Sequence, residues 1–250
     1  MQKDLVRQYY PETEFGGFTN ASPVVSFYNR VNAMLHQESV VLDVGCGRGG
    51  WEETDIEYLR QLQTLKGKCQ KVIGIDVAAA GAENPTLDEF RRIDPNLAHW
   101  PVATGEVDIV VSDSVLEHIE TPQTFFDECH RVLKPNGILC IRTFNVRHYV
   151  GIISRLLPNR LHTSALNVAQ PSRQEEDVFP TFYRCNTPRS MRKILRKSGF
   201  QGCVYSQEPN SAYLAFSSLT YWASVVYQRL APPPLRWNIL AFARRQEQPS

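Results

Sequence analysis

Two acidic residues stand where apolar runs of the chain give way to turns. Asp43 lies within the run 41–44, directly before the glycine-rich stretch 45–50, and Asp76 lies near the end of a second apolar run, 71–77. Glycine lets the backbone approach a ligand closely and adopt positive φ angles. A carboxylate within an apolar run is costly unless a structured loop, a water molecule or a ligand amine donates hydrogen bonds to it. Together the acids and the glycines indicate a ligand-binding site.

Strands and helices alternate along the part of the chain that carries these residues. Runs rich in valine and isoleucine predict strands over 39–45, 71–77, 107–113 and 136–144. Apolar residues at helical spacing predict helices over 54–65 and 121–133, the second opened by Thr121 as N-cap and Pro122 at the first helical position. Such an alternation predicts βαβ units, and hence a parallel sheet with both faces covered. Ligands bind such sheets beyond the carboxyl ends of the strands, where the glycine stretch falls.

The second half of the chain is less regular. Residues 146–186 form a long insertion, which is typical of a lid or binding loop. A helix follows Thr187 and is closed by Gly199, and two late strands are predicted over 200–206 and 238–245. We therefore expect a single domain over 1–250. Its predicted parts are an N-terminal cap (1–37), a ligand-binding core (38–145), the lid (146–186), and C-terminal elements (187–250) with an apolar insertion at 209–230.

Composition limits the function classes. The 250 residues carry a formal net charge of +1, so no overall field favours nucleic acid or an anionic membrane. Six cysteines are scattered without a C-x-x-C pair, which indicates a reduced, cytoplasmic protein without a zinc site or a disulfide framework. The first residues lack the apolar core of a secretory signal.

One segment, 209–228, contains no charged residue. It includes Asn, Ser, Thr and Gln, which disfavours a membrane-spanning helix. A buried or dimer-forming aromatic helix and an interfacial membrane helix both fit the composition. The sequence leaves these alternatives open.

The motifs in combination resemble the class I S-adenosylmethionine-dependent methyltransferases. The stretches that carry the resemblance are "VLDVGCGRG", "VIGIDV", "VDIVVSDSVLEHI" and "LKPNGILCIRT". The later segments "DVFPTFYRCNT" and "LRKSGF" are similar to a bacterial subgroup of that family. The resemblance implies an α/β fold, a Rossmann-like doubly wound sheet of seven mostly parallel strands, with the lid inserted after strand five. A NAD-type Rossmann site is the alternative for the glycine turn, but the acid in the first strand and the later motifs favour the methyltransferases.

The resemblance implies S-adenosyl-L-methionine as the cofactor and assigns residues to it. Asp43 would help to hold the loop and the methionine amine, directly or through water. Asp76 would accept the ribose hydroxyls, and Ser112 would face the methionine end. The full set of expected cofactor-binding residues is Asp43, Gly45, Cys46, Gly47, Gly49, Asp76, Val77, Asn96, Leu97 and Ser112. Asn96 falls where the family places an acid against the adenine amine, and Asp94 is the competing choice. Neither a metal ion nor a covalent intermediate is expected.

His118 is the expected catalytic residue. A hydroxyl acceptor must lose its proton as the methyl group is transferred, and a histidine near its ordinary pKa suits a general base. His118 would alternatively cap or pack the next helix. Expected substrate contacts are Tyr10, Arg142, Asn145, His148, Tyr183 and Arg184, and aromatic residues before strand one and in the insertion are expected to close over the site.

The resemblance does not specify the acceptor. O-methylation of a small molecule or sugar unit in a biosynthetic pathway is the first expectation. N-methylation, and membrane-associated modification of a lipid-linked acceptor, are the alternatives. Nucleic acid is not expected, because the basic residues of 184–197 lie mostly on one helix, where a solvated face is the usual explanation. A non-enzymatic binding module is the most distant alternative.

Overall fold

The fold is known from a computed structural model that describes residues 2–49, 54–151, 180–211 and 214–247. Within these residues, seven strands form one sheet in the order β3-β2-β1-β4-β5-β7-β6. The strands are β1 (Val40–Val44), β2 (Lys71–Asp76), β3 (Glu89–Arg92), β4 (Val107–Asp113), β5 (Leu133–Phe144), β6 (Phe200–Gln207) and β7 (Asn238–Arg245). Strands β1 to β5 pair in parallel, while β7 runs antiparallel to both β5 and β6. The prediction of seven mostly parallel strands is confirmed.

Helices cover both faces of the sheet. The α-helices of the described residues are α1 (Gln2–Tyr9), α2 (Pro23–Ala33), α3 (Glu57–Gln63), α4 (Pro122–Val132), α5 (Pro188–Lys197) and α6 (Ser218–Leu230). Of these, α1 and α6 pack together in a separate cluster. On one face, α2 and α3 bury Phe27, Val31 and Leu62 against the sheet. On the other, α4 and α5 bury Phe126 and Met191. Each helix presents one apolar stripe, so the sheet between them is buried on both sides, as its valine-rich strands require.

The helix ends differ in part from the sequence predictions. The helix predicted over 54–65 is shorter, Glu57–Gln63. Pro122 opens α4 as predicted, but the Thr121 side chain makes no capping hydrogen bond, so the prediction of a Thr121 cap was wrong in that respect. Thr187 does cap α5, where its hydroxyl accepts a hydrogen bond from the Ser190 N–H at 3.1 Å. Gly199 follows α5 with φ +76°, which suits a residue that ends a helix.

The predicted lid lies largely outside the described residues, since 152–179 are not among them. Its described end is attached to the core, because the N–H groups of Phe182 and Tyr183 donate to the Glu117 carbonyl oxygen at 2.8 and 3.2 Å. In the apolar insertion, α6 lies between β6 and β7 along the chain. Among the described residues, no helix is both long enough and apolar enough to span a membrane.

Candidate active site

The glycine loop leaves β1 at the edge of the sheet where β1, β2 and β4 all end. The N–H groups of Gly45 and Cys46 donate to the Ile75 carbonyl oxygen of β2 at 2.8 and 3.3 Å. Gly45, Gly47 and Gly49 have φ angles of +72°, +50° and +78°. Since side chains disfavour these angles, the sequence needs glycine at all three positions to make this turn.

Two of the glycines are also required by close packing, and one faces open space. A methyl group on Gly45 would lie 2.4 Å from Val115 Cγ2, and one on Gly49 would lie 2.6 Å from Asn84 Oδ1. A methyl group on Gly47 would meet no atom within 4 Å. The loop therefore packs on the protein at its two ends and leaves room for a ligand at Gly47.

Asp76 and Asn84 hold the loop. The Gly47 N–H donates to Asp76 Oδ2 at 3.0 Å, and the Ala78 N–H donates to Asp76 Oδ1 at 2.8 Å. The buried Asn84 donates through Nδ2 to the carbonyl oxygens of Cys46 and Gly47 at 3.0 and 3.3 Å. Each Asp76 oxygen accepts one bond here, and a carboxylate oxygen has a second acceptor direction available for a ligand hydroxyl.

Asp43 makes no direct hydrogen bond to the loop among the described residues, whereas Asp76 and Asn84 bond to it directly. The expected part of Asp43 in holding the loop, directly or through water, stays a prediction. Burial, together with the nearby negative charges of Asp113 and Asp76, raises the pKa of Asp43 to about 7. A carboxylate in this position is stabilised by a cationic group brought by a ligand.

Ser112, near the end of β4, is completely buried, and its hydroxyl has no hydrogen-bond partner among the described residues. A buried hydroxyl without a partner is costly. Ser112 pairs in register with Val44, the last residue of β1, so it lies beside the start of the glycine loop. The open space at Gly47, the acidic surroundings of Asp43 and the Ser112 hydroxyl fit a ligand that carries both positive charge and hydrogen-bonding groups, as S-adenosylmethionine does.

A second buried network follows β4. Thr143 Oγ1 donates to Glu117 Oε2 at 2.7 Å, and Asn186 Nδ2 donates to Thr143 Oγ1 at 2.8 Å. All three side chains are buried, and burial raises the pKa of Glu117. The network joins the Leu116–His118 turn to β5 and to the segment before α5. It was not predicted from the sequence, although Glu117 stood in the "LEHI" motif.

His118 follows Glu117 and is half-buried. Its Nδ1 lies 3.0 Å from the Pro180 carbonyl oxygen. Because a carbonyl only accepts, Nδ1 carries the hydrogen in the neutral ring and Nε2 is then the basic nitrogen. The geometry is compatible with a general base and with a packing role, so the assignment of His118 stays a prediction.

The expected adenine contacts lie in an exposed turn. The N–H and Nδ2 of Asn96 both donate to Asp94 Oδ1 at 2.9 Å, and Leu97 is 67% exposed. Val77 follows Asp76 directly and is 39% exposed. Asn96, Asp94, Leu97 and Val77 therefore stay predicted cofactor contacts.

Three expected substrate contacts are engaged within the protein. Arg142 pairs with Asp113, with Nη2 lying 2.8 Å from Oδ1. Asn145 donates to the carbonyl oxygens of Pro234 and Arg236 at 2.8 Å each. His148 lies buried, with Nε2 3.0 Å from Glu208 Oε1 and Nδ1 accepting from the Val150 N–H at 3.3 Å. These contacts are typical of structural roles at the carboxyl edge of β4, β5 and β6.

Tyr10 is brought to a different place from the glycine loop. It is buried and lines a cavity of about 440 Å³ between α1, α6 and the end of β6. Polar and charged side chains make most of its wall, among them Asn20, Gln207, Gln228, Arg229 and Arg236. β6 is parallel to β5, because both run antiparallel to β7, so this cavity and the glycine loop open from the same edge of the sheet.

The remaining expected contacts lie near the end of the insertion. Tyr183 has φ +51° and is half-buried, while Arg184 is exposed. Among the aromatic residues expected to close the site, Phe15 is 84% exposed and Phe179 lies outside the described residues. The predictions for all of these residues remain open.

Comparison with known proteins identifies a family. Residues 21–206 match the family described as a methyltransferase domain. A probable S-adenosylmethionine-dependent methyltransferase of Mycolicibacterium smegmatis is 33% identical over 136 residues, which cover 52% of this chain and 47% of that protein. The mitochondrial ubiquinone biosynthesis O-methyltransferase of Mus musculus is 29% identical over 217 residues, which cover 76% of this chain and 50% of that protein. The chain thus spans about half the length of these relatives.

The fold is shared with a solved structure of low sequence identity. The geranyl diphosphate C-methyltransferase of Streptomyces coelicolor, solved with S-adenosyl-L-homocysteine, is 17% identical and superposes with a TM-score of 0.53 over 88% of this chain and 74% of its own. At that identity the likeness concerns the fold alone.

Proposed function

Because the chain belongs to the methyltransferase-domain family, we propose that it transfers a methyl group from S-adenosylmethionine to a hydroxyl group of a small-molecule or sugar acceptor. One observation carries the proposal. Asp43, whose pKa is raised, and the buried hydroxyl of Ser112 lie at the carboxyl ends of β1 and β4, next to the open space at Gly47. Among the described residues, neither side chain bonds directly to the loop, and the Ser112 hydroxyl has no partner.

The proposed roles of the side chains follow from this arrangement. S-adenosylmethionine supplies an already activated methyl group when it is bound. Asp76 would accept ribose hydroxyls while it holds the Gly47 N–H, and Asp43 would pair with the methionine ammonium. The protein then contributes alignment and exclusion of water rather than a metal ion or a covalent intermediate.

His118 is proposed as the general base for a hydroxyl acceptor. Its Nδ1–H donates to the Pro180 carbonyl oxygen, which leaves Nε2 as the basic atom of the neutral ring. Pro180 begins the described end of the predicted lid, so lid position and ring orientation are coupled. The cavity of about 440 Å³ at Tyr10 is the described space that suits an acceptor with several hydrogen-bonding groups.

Two other acceptor classes are the alternatives, and the relatives support the first of them. Relatives that are 27–30% identical are ubiquinone biosynthesis O-methyltransferases, which favours a phenolic acceptor carried on a lipid as the second candidate. An amine acceptor would need less help from a base than a hydroxyl does, so dependence on His118 separates the two chemistries.

Methyl transfer to a panel of acceptors tests the proposal. Radiolabelled S-adenosylmethionine would be incubated with phenols, methyl glycosides and primary amines, and transfer to each class counted. We expect hydroxyl acceptors to be labelled and His118→Asn to lower kcat by about 100-fold or more at neutral pH. Labelling of amines alone, with His118→Asn as active as the wild type, would overturn the assignment of O-methylation.

A further inference from the structure

Helix α6 is fixed to the protein by one face. Tyr221, Ser224 and Val225 are buried on that face. Tyr221 and Val225 form a cluster with Tyr10, and the Tyr9 and Tyr221 rings meet edge to face with centroids 5.6 Å apart. The Tyr221 hydroxyl also donates to Asn210 Oδ1 at 2.9 Å. The rotation of α6 about its own axis is therefore set by packing.

The opposite face of α6 is apolar and exposed. Leu219, Trp222 and Leu230 are 72%, 51% and 75% exposed, and Phe216, just before the helix, is 65% exposed. Val226, half-buried, falls between Trp222 and Leu230 at helical spacing. We call these five residues the outer stripe. They expose on the order of 500 Å² of apolar surface, as much as the largest patch of a typical monomer, and such patches commonly mark interaction sites.

The charge of α6 itself is positive, whereas the neighbouring N-terminal residues carry both signs, with Glu12 lining the same cavity as Arg229. Neither α6 nor the segment 209–228 contains an acidic residue, and the first charge after it is Arg229, which is exposed. On α1, which packs beside α6, Arg7 is exposed, and so is the acidic Asp4 near the start of that helix. A tryptophan and leucines flanked by arginine are typical of helices that lie in the interface of a bilayer with anionic lipids.

The size of the outer stripe favours a membrane surface over a second copy of the chain as its binding partner. A stable protein–protein interface buries about 800 Å² on each partner. The outer stripe is narrower and shorter than that, since α6 has 13 residues and spans about 20 Å. An interfacial helix needs no complementary partner surface, because lipid chains adapt to it.

We propose that the outer stripe of α6 binds the surface of a lipid bilayer containing anionic lipids. Gln228 and Arg229, near the end of the same helix, line the cavity that Tyr10 also lines. On a membrane, this cavity lies within about one helix diameter, roughly 10 Å, of the lipid headgroups. The membrane contact does not depend on the methyltransferase reaction.

Sedimentation with vesicles tests the proposal. The full chain would be mixed with phosphatidylcholine vesicles that contain about 30% phosphatidylglycerol, which gives them a negative surface. The bound fraction of the protein would be measured after centrifugation. The double variant Leu219→Ser/Trp222→Ser removes two exposed apolar side chains and no packing contact of the inner face. We expect the wild type to sediment with the vesicles and the affinity of the double variant for them to fall by at least about tenfold.

Matched controls keep the outcome unambiguous. Arg196→Ser/Lys197→Ser changes two exposed residues of the basic helix α5 and should bind vesicles as the wild type does. Thermal melting and S-adenosylhomocysteine binding should be unchanged in Leu219→Ser/Trp222→Ser, which separates failure of the membrane contact from failure of the proposed enzyme. The proposal is overturned if the wild type stays in the supernatant, if Leu219→Ser/Trp222→Ser binds equally well, or if light scattering shows a wild-type dimer that this variant dissociates.

Discussion

Asp76 accepts the backbone N–H of Gly47 at 3.0 Å. The acid at the end of β2 thereby fixes the loop at the end of β1. The sequence alone did not connect this acid with the shape of the glycine loop, and its proposed second task is to accept ligand hydroxyls with its remaining acceptor positions.

Asn84 is predicted to stabilise the glycine loop together with Asp76. Replacement Asn84→Asp removes both Nδ2 donors and places carboxylate charge against the Cys46 and Gly47 carbonyl oxygens. We expect the free energy of unfolding to fall by about 2–4 kcal/mol, measured by urea denaturation. Asn29→Asp, at an exposed position of α2, is the matched control and should change it by less than about 0.5 kcal/mol. Equal effects of the two substitutions would contradict the role of Asn84.

Gly45 and Gly47 should differ in their effects: Gly45 on the stability of the protein, and Gly47 on ligand binding. Gly45→Ala brings a methyl group 2.4 Å from Val115 and should cost about 3 kcal/mol of stability or more. Gly47→Ala meets no protein atom within 4 Å and should cost only about 1 kcal/mol, from its positive φ. Its methyl group enters the ligand space, so S-adenosylhomocysteine binding should weaken by about tenfold or more. Thermal melts and calorimetry measure the two effects separately, and unchanged binding by Gly47→Ala would place the ligand elsewhere.

Asp43 should give cofactor binding a dependence on pH. Its pKa of about 7 lies above the ordinary 3.8. In the ligand-free protein, the stability that this carboxyl contributes is therefore present below about pH 4 and lost as the pH rises through 7. Asp43→Asn should raise Tm relative to the wild type, by an amount that grows from pH 4 to pH 7 and then levels off.

Binding of a cationic ligand should convert the protonated Asp43 carboxyl group to the carboxylate. Because the ammonium group favours the carboxylate, S-adenosylmethionine binding below pH 7 should release a proton and weaken as the pH falls. Calorimetry in two buffers of different ionisation enthalpy measures that proton. Identical heats in both buffers at pH 6 would show that Asp43 does not change its protonation state.

Glu128 on α4 should set part of the acid stability. Burial works against its charge, but hydrogen bonds from Arg131, His99 and the Trp100 N–H lower its pKa to about 2, from an ordinary 4.5. This stabilisation is present above pH 4.5 and is lost as the pH falls through about 2. We expect Glu128→Gln to cost about 1–3 kcal/mol at pH 7 and to show a smaller further loss between pH 4.5 and 2. Denaturation curves measured between pH 4.5 and 2 test this prediction. If the free energies of unfolding of wild type and Glu128→Gln fell equally with pH, the role of Glu128 would be refuted.

The sequence predicted the elements that carry strong local patterns. The valine-rich runs, the three glycines and Asp76 stand in contiguous motifs, so the carboxyl edge of β1 and β2 could be located before the fold was known. Asn84, Thr143 and Asn186 could not be assigned, because their roles depend on neighbours 26 to 43 residues away in the chain that only the fold brings close. His148 is the opposite case. Its residue type led us to expect a substrate contact, but tertiary packing places it against Glu208.

Calorimetric titration with S-adenosylhomocysteine tests the site most directly. The wild type, Asp76→Ala and Asp127→Ala would be compared; Asp127 is an exposed acid of α4 and serves as the matched control. We predict micromolar binding by the wild type and by Asp127→Ala, and a loss of about 100-fold or more in Asp76→Ala. Folded wild-type protein that does not bind, or an Asp76→Ala variant that binds as the wild type does, would contradict a cofactor site at the glycine loop.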